Sequence, residues 1–448
     1  MEESSTELIS AQNVEVARQS IVGDQWEQLR KMLPADLEAS AKASGALIRR
    51  RGISDASVLL RLVLAYAVLG WSLRTIGGWG VLMGLVNISD VAILNRLRGC
   101  NSWLGILIQQ QLEARQIRVS RRPGVRLRLR DATVVSRPGS QGTDWRIHLS
   151  YDLGNQCIDG VEVTDKHGGE NLARFPASSN DIIVADRGHA YAASLGPMLA
   201  AGAQVVVRTN WQNLPLWTVE NKRLDVIAWL KERFADATVG YQEQVVRLPT
   251  PQGDFHVRLV ACRLPLEAAE RARAKVRKNA QKKGRTPDER TLFACGFVLL
   301  LTNLPAEHWE TTSIFELYRL RWQIELVFKR CKSLFHFDEL RAFDPALVQT
   351  YLLGKLLASL LIDALTGNVA AIQPDWFFSS VRPISLWRLH TLLWHQLRHA
   401  ISGVIPSTIP PTCWPKLQRF LCEPPRNRVQ QLARARLFVC RLSVVNVL

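Results

Sequence analysis

Two aspartates stand where the sequence predicts buried β-strands. Asp131 lies within the run RLRLRDATVV, and Asp186 ends the β-branched run DIIVAD. A buried, ionised carboxylate is costly unless it is hydrogen-bonded, paired or bound to a metal. The C-terminal end of a strand in an open α/β sheet faces the crevice where ligands bind, which suits Asp186. Either aspartate alone is also explained as a turn or cap residue just past its strand.

A third group of reactive side chains lies on one predicted helix, residues 314–333. At about 100° per residue, one stripe of this helix carries Tyr318, Arg321, Glu325 and Lys332. The opposite stripe is apolar and is expected to pack on the core. Its members are Leu320, Ile324, Val327 and Cys331. Solvated helix faces often carry the same polar residue types, so the periodicity alone leaves a catalytic and a merely solvated face equally open.

In order and spacing, these residues resemble the insertion-sequence-four group of DDE transposases. The signature of that group is Tyr, two residues, Arg, three residues, Glu, six residues, Lys, and residues 318–332 match it without a gap. Its two aspartate motifs, Asp-Ala-Thr and Ala-Asp-Arg-Gly, are matched by residues 131–133 and 185–188. Members of the group often have an aromatic residue after Asp-Arg-Gly, where this sequence has His189. The resemblance covers residues 125–340.

The resemblance implies a DNA strand-transfer enzyme with Asp131, Asp186 and Glu325 as its catalytic residues. These carboxylates would bind two Mg²⁺ ions, for which Mn²⁺ can substitute, because oxygen ligands suit hard cations. The reaction would begin with hydrolysis at a transposon end and continue with attack of the freed 3′-hydroxyl on target DNA. The residues expected to hold DNA near the cleaved end are Tyr318, Arg321, Lys332 and Arg187.

The implied partners are double-stranded DNA, both the terminal inverted repeats and the target, and a second copy of the chain. Transposition cuts two ends and joins both to one target, whereas one chain supplies one carboxylate triad, so a homodimer on DNA is expected. The predicted C-terminal helices carry enough apolar surface to pair two copies. The core of a subdomain without a partner explains that surface equally well.

Two other functions use the same features. A ribonuclease H-fold endonuclease would cut DNA without joining the 3′-end to a target. A domesticated DNA-binding regulator would keep the basic surfaces and lose a carboxylate. Because all three carboxylates are present, the sequence argues against the regulator.

The composition is that of a basic globular protein. Lys and Arg outnumber Asp and Glu by 57 to 40 in 448 residues, which gives a net charge of +17 and a pI near 9.9. Such an excess favours an anionic partner, nucleic acid by default, although a merely basic protein has the same composition. The eight cysteines lack zinc-ligand spacing, so neither a zinc finger nor a disulfide framework is expected.

No membrane association is expected either. The start of the chain lacks a basic segment followed by an apolar run, so no signal peptide is predicted. Charged residues interrupt the apolar runs 58–69 and 352–365, and both fall short of a membrane span. The expected location is the bacterial cytoplasm, in association with the nucleoid.

The predicted fold is α/β, with a ribonuclease H-like mixed sheet as its core, an inserted β-rich subdomain, and helical regions on both sides. The expected regions are a helical DNA-binding region at 1–120, the first part of the core at 121–208, a β-rich insertion with a basic tail at 209–291, the second part of the core with the Glu helix at 292–345, and a C-terminal helical region with a dimerisation role at 346–448.

Two further stretches leave two functions open. Residues 72–99 have helix-turn-helix proportions, with Arg96 and Arg98 on the second helix, but an ordinary αα-hairpin has the same spacing. The tail of the insertion is strongly basic, which suits contact with phosphates or a solvated face. Its basic residues are Arg271, Arg273, Lys275, Arg277, Lys278, Lys282, Lys283 and Arg285.

Overall fold

A computed structural model describes residues 25–120, 125–137, 139–140, 142–235, 240–378, 384–404 and 413–421. The chain divides into two compact units. One unit comprises residues 1–111 and 341–448, and the other comprises residues 112–340. The ends of the two predicted helical regions, residues 1–24 and 422–448, lie outside the described residues.

The strands and helices follow one another along the chain in a mixed α/β order. The strands are β1 (Arg126–Val135), β2 (Trp145–Asp152), β3 (Cys157–Asp165), β4 (Asp181–Ala185), β5 (Gln204–Thr209), β6 (Gly240–Thr250), β7 (Gly253–Arg263) and β8 (Phe297–Thr302). The helices are α1 (Gln25–Arg30), α2 (Leu37–Ala43), α3 (Ala56–Leu64), α4 (Leu73–Leu82), α5 (Asp90–Arg98), α6 (Asn101–Ser120), α7 (Ala192–Ala200), α8 (Val226–Arg233), α9 (Leu266–Gln281), α10 (Glu289–Ala294), α11 (Thr311–Arg319), α12 (Trp322–Phe335), α13 (Pro345–Ile372), α14 (Pro374–Phe378), α15 (Leu386–Ser402) and α16 (Trp414–Leu421).

All of these strands form one sheet in the unit of residues 112–340. Their order is β3-β2-β1-β4-β5-β8-β7-β6. β1, β4 and β5 run parallel to one another, and every other neighbouring pair is antiparallel. This arrangement confirms the predicted mixed α/β fold with a ribonuclease H-like sheet.

The two central parallel strands show why the apolar runs fold as they do. Every residue of β4 is buried, and so are residues 205–207 of β5. Parallel strands covered on both faces require continuous apolar, β-branched sequence, which is what these segments contain. Behind them, Leu195 of α7 and Trp229 and Leu230 of α8 are buried in one core with Val207 of β5.

The strands of the insertion extend this sheet. β6 and β7 form an antiparallel hairpin in the predicted β-rich insertion, and Thr250 is paired with Gly253 at its turn. The φ angle of Gly253 is 127°, in a region that favours glycine. β7 then pairs with β8, with Cys262 opposite Val298. The insertion therefore lengthens the core sheet by two strands.

The predicted helix 314–333 is interrupted in the structure. α11 ends at Arg319 and α12 begins at Trp322. Between them the chain forms a tighter turn, in which the amide of Leu320 bonds to the carbonyl of Leu317 and that of Arg321 to the carbonyl of Tyr318. Such a turn advances by about 120° per residue, which rotates the stripe predicted for one continuous helix. Leu320, predicted to pack on the core, is consequently 39% exposed.

Three helices of the other unit begin with side-chain capping bonds. The side chain of Asp55 accepts a hydrogen bond from the Val58 amide at the start of α3. Ser72 and Ser89 accept bonds from amides in the first turns of α4 and α5. Side-chain oxygens at these positions satisfy amides that have no partner within the helix.

The side chains of Arg96 and Arg98 are both used within this unit. Arg96 donates to the carbonyl of Arg49 at 2.7 Å, and Arg98 forms an ion pair with Asp344 at 3.0 Å. These contacts favour the αα-hairpin over the helix-turn-helix for α4 and α5.

α13 is longer than the apolar run predicted from the sequence. By length and composition it could cross a membrane, which corrects the expectation that this run falls short of a span. However, 78% of its most apolar window is buried in the protein, as in a core helix. Its neighbours include α3, α5 and α15, so the N-terminal and C-terminal helices cover one another's apolar faces.

Candidate active site

Two neighbouring parallel strands bring the predicted aspartates together. Arg130 of β1 lies opposite Ala185 of β4, so Asp131 and Asp186 are the next residues on the two chains. Carboxylate oxygens of both aspartates and a ring nitrogen of His189 lie within 4.8 Å of one another. The sheet register therefore places three groups that could bind a metal at one point.

The third predicted carboxylate is joined to this cluster through Arg321. A guanidinium nitrogen of Arg321 lies 3.3 Å from Oδ2 of Asp131, and the other terminal nitrogen lies 2.5 Å from Oε1 of Glu325. Arg321 precedes α12 directly, and Glu325 lies in the first turn of that helix. The tight turn before α12 thus positions the guanidinium of Arg321 between two of the predicted catalytic carboxylates.

Burial and a neighbouring like charge perturb the pKa of Asp131. Burial raises the pKa of Asp131 to about 7, the Ala132 amide that donates to it acts in the opposite direction, and the charge of Asp186 adds to the rise. Low dielectric and a like charge both disfavour the ionised form. A divalent cation would reverse that preference, so the electrostatics as well as the oxygen donors fit a metal site.

Glu170 is a further carboxylate near this site that the sequence did not indicate. Burial and the charge of Asp186 raise its pKa. Tyr191 anchors its backbone by donating to the Glu170 carbonyl at 2.7 Å. Oε2 of Glu170 lies so close to Gly188 that a Cβ at position 188 would be 1.7 Å from this oxygen. Glu170 lies outside the motifs that marked the other carboxylates, so the motif pattern did not indicate it.

His189 belongs to the cluster as well, although the sequence marked it only as a departure from a family pattern. Its side chain is 2% exposed, and neither ring nitrogen has a hydrogen-bond partner in the structure. Burial lowers its pKa to about 4, while the charge of Asp186 acts in the opposite direction. The imidazole is therefore neutral near pH 7.

The other predicted DNA contacts lie on the elements that carry the carboxylates. Tyr318, at the end of α11, is half-buried, and the Arg321 guanidinium carbon lies 5.8 Å from its ring centroid. Burial raises the pKa of Tyr318. Arg187 is exposed beside Asp186, and Lys332 is half-buried about two turns beyond Glu325 on α12.

The basic cluster lies on α9 and the loop after it, and no contact joins its residues to the carboxylates in the described part of the chain. Arg273 is partly engaged, since it donates to the Leu292 carbonyl at 3.1 Å and pairs with Glu270 at 2.6 Å. Arg271 lies 3.7 Å from Glu267. The exposed members are Arg271, Lys275, Arg277, Lys278, Lys282, Lys283 and Arg285.

Comparison with known proteins identifies the family. The profile of the family described as Transposase DDE domain matches residues 124–361 of this chain, a range that contains all three predicted carboxylates. The chain belongs to the DDE transposases. The resemblance of the motifs and the prediction of a DNA strand-transfer enzyme are thereby confirmed.

Bacterial relatives of this transposase match over most of its length. The putative transposase InsL for insertion sequence element IS186A of Escherichia coli K12 is 39% identical over 364 residues, which cover 79% of this chain and 96% of the relative. The transposase for element IS421 of Escherichia coli is 39% identical over 365 residues, with the same coverage. A solved piggyBac transposase synaptic complex with hairpin DNA matches with a TM-score of 0.46 and 11% identity, over 92% of this chain and 87% of that one.

Transposases of this family generally use a divalent metal, and the cluster of Asp131, Asp186 and His189 has the donors to bind one. The prediction of a divalent metal cofactor is thereby confirmed, whereas Mg²⁺ as the metal stays a prediction.

Proposed function

We propose that this transposase cuts DNA at the ends of an insertion sequence and joins the freed 3′-hydroxyl to target DNA. The observation that carries this proposal is the convergence of Asp131, Asp186 and Glu325 through one strand register and one arginine. The three carboxylates come from segments far apart in sequence. Their convergence at one point of the fold suits a cation site, with Arg321 balancing two of them in the structure.

In this proposal Asp131, Asp186 and Glu325 hold two Mg²⁺ ions, which Mn²⁺ can replace. When bound, such metals activate the attacking oxygen and stabilise the leaving one in an in-line displacement at phosphorus. The protein's own part is to hold the carboxylates in position. The sheet fixes Asp131 and Asp186, and the first turn of α12 fixes Glu325.

Arg321 has a double role in this proposal. In the structure it neutralises Asp131 and Glu325. Its planar guanidinium is suited to bidentate contact with a phosphate, so it would turn to the DNA backbone when metals satisfy the carboxylates. Tyr318, Lys332 and Arg187 would contact the same strand near the cut.

We further propose that the α9 cluster contacts DNA away from the cut. Arg277, Lys278, Lys282 and Lys283 are exposed and supply the positive charge. Arg273 has a mainly structural role, because it is engaged with Glu270 and the Leu292 carbonyl. Arg271 has only a long contact with Glu267, at 3.7 Å, and would also contact DNA. Because this contact would be purely electrostatic, it would not depend on the sequence of the DNA.

The enzyme would act as a homodimer on DNA at the bacterial nucleoid. The argument rests on the reaction, since two ends need two carboxylate triads. The apolar surface of α13 is largely covered within its own unit, which favours the subdomain core over pairing through that helix. The interface between protomers is therefore expected on other surfaces, formed when DNA is bound.

A joining assay tests the proposal against its rival. The enzyme is incubated with Mg²⁺, a target plasmid and DNA duplexes that carry the ends of the encoding element. The label is on the strand whose 3′-hydroxyl is freed by the cut. The proposal predicts nicked ends and labelled plasmid. Nicked ends without labelled plasmid would instead indicate an endonuclease that does not transfer strands.

A further inference from the structure

His189 is an exception to the rule that buried polar atoms have partners. The side chain is 2% exposed, and Nδ1 and Nε2 both lack a hydrogen bond in the structure. Leaving a buried polar atom without a partner costs free energy, because the atom loses its hydrogen bonds to water. One ring nitrogen lies within 4.8 Å of carboxylate oxygens of Asp131 and Asp186. A cation at that point would give the imidazole the partner it lacks.

The local backbone holds this ring in place. Residues 187–189 form a 3₁₀ turn directly after Asp186, which accepts a hydrogen bond from the Gly188 amide at 2.7 Å. The His189 amide bonds back to the Asp186 carbonyl. This closed turn returns the chain so that the ring of His189 lies beside the carboxylate three residues earlier. A ligand fixed in this way loses little freedom when it binds.

We propose that His189 supplies a nitrogen ligand to the cation held by Asp131 and Asp186, and that this ligand makes the centre prefer Mn²⁺ to Mg²⁺. The proposal rests on the proposed function, which places a divalent metal at these carboxylates. An imidazole nitrogen binds transition metals more strongly than Mg²⁺, whose preferred ligands are oxygens.

Pulsed electron paramagnetic resonance of Mn²⁺ bound to the full-length protein tests the ligand directly. In the wild-type protein we expect modulation from a directly bound ¹⁴N nucleus, which changes to the ¹⁵N pattern when the histidines are labelled with ¹⁵N. His189→Phe should bind Mn²⁺ without nitrogen modulation. His148→Gln removes another buried histidine near the same core and should keep the modulation. Bound Mn²⁺ without nitrogen modulation in the wild-type protein would overturn the proposal, without requiring any variant to fold.

Calorimetry tests the preference. His189→Phe should weaken Mn²⁺ binding by about 10-fold or more and change Mg²⁺ binding by less than about 2-fold. Equal losses for both metals, or none, would contradict a selective nitrogen ligand. Mg²⁺-dependent cleavage by His189→Phe separates this proposal from the proposed function. If cleavage persists and nitrogen modulation is absent from the wild-type protein, only the role of His189 fails. If the wild-type protein neither cleaves nor binds metal, the proposed function fails too.

Discussion

At the scale of single residues, one arginine organises the candidate active site. Arg321 contacts both Asp131 and Glu325, so two carboxylates that would repel each other share one cation. The sequence pattern correctly grouped Arg321 with Glu325 on one helix face. It could not show the contact with Asp131, because that contact depends on the packing of α12 against β1, which no local pattern encodes.

The geometry of the guanidinium, and not its charge alone, should matter. Arg321→Lys keeps the charge but offers a single nitrogen, which cannot contact the two carboxylates from two separate atoms or bind a phosphate through a fork. We expect end cleavage to fall by ~10-fold or more. Arg319→Lys, an exposed position two residues earlier, is the matched control and should cleave normally. Wild-type cleavage by Arg321→Lys would show that charge suffices.

A buried histidine near the site should make stability depend on pH. Burial lowers the pKa of His148 to about 3, with Arg174 and Arg146 acting in the same direction. Its folded pKa lies below its unfolded value near 6.5, so below pH 6.5 the unfolded chain takes up a proton that the folded protein does not. This contribution to stability is therefore full above pH 6.5 and is lost as the pH falls toward 3.

Comparison with His148→Gln isolates this effect. Between pH 6.5 and 4, the wild-type protein should lose stability relative to the variant by at most about 1.4 kcal/mol per pH unit. Urea midpoints measured at pH 7.5 and 5 check the difference, with the exposed His167→Gln as the control that should follow the wild-type protein. A constant difference between wild type and His148→Gln across this range would contradict the account.

At the scale of elements, the periodicities predicted most of the helices and strands but not the break before α12. The strand pattern and the cap residues Asp55, Ser72 and Ser89 are local signals, and the structure contains the elements they predict. The turn at Leu320 and Arg321 has bonds three residues apart in place of four. The change of spacing involves only two residues and leaves the apolar pattern on either side helical, so the sequence does not mark it.

β1 also supports the loop that carries Glu170. The Arg130 side chain is 1% exposed and donates to three carbonyls, those of Leu172, Phe175 and Pro176. Burial lowers its pKa to about 9, with the charge of Arg128 acting in the same direction. The three carbonyls stabilise the charged guanidinium in place of water.

Removing this support should loosen the loop. Arg130→Met removes these three hydrogen bonds, although Arg128 still donates to the Pro176 carbonyl, and it should reduce stability by about 2–4 kcal/mol. Hydrogen exchange should speed up over residues 170–176 well below the unfolding transition. Arg126→Met is the control, because Asp181, its partner, keeps a second arginine in Arg128. Equal protection of residues 170–176 in both variants would contradict the proposed support.

At the scale of the whole molecule, the pairing of distant segments was beyond sequence analysis. The first and last described helices form one compact unit, and β7 joins β8 of the core sheet. Both arrangements depend on contacts between residues far apart in the chain, whereas composition and periodicity report only neighbours. The motifs that identified the carboxylates succeeded because each carries its own local signal.

The basic surface of α9 and its following loop should determine part of the salt dependence of DNA binding. Lys282→Gln with Lys283→Gln should lower the slope of log affinity against log salt by up to about 0.9 for each DNA phosphate that these lysines neutralise. Lys222→Gln with Arg223→Gln removes the same charge from another exposed part of the insertion and should leave the slope unchanged. Equal slopes in the two double variants would show that the α9 cluster is a solvated face that does not contact DNA.

The most direct test of the central claim is cleavage of element ends by three conservative variants, Asp131→Asn, Asp186→Asn and Glu325→Gln. Each keeps the size of the side chain and removes the charge that a divalent metal requires. The account predicts that each binds the end DNA within about 3-fold of the wild-type affinity and cleaves at least about 1,000-fold more slowly with Mg²⁺ or Mn²⁺. If a variant retains cleavage near the wild-type rate, the carboxylate that it replaces is not part of the catalytic triad.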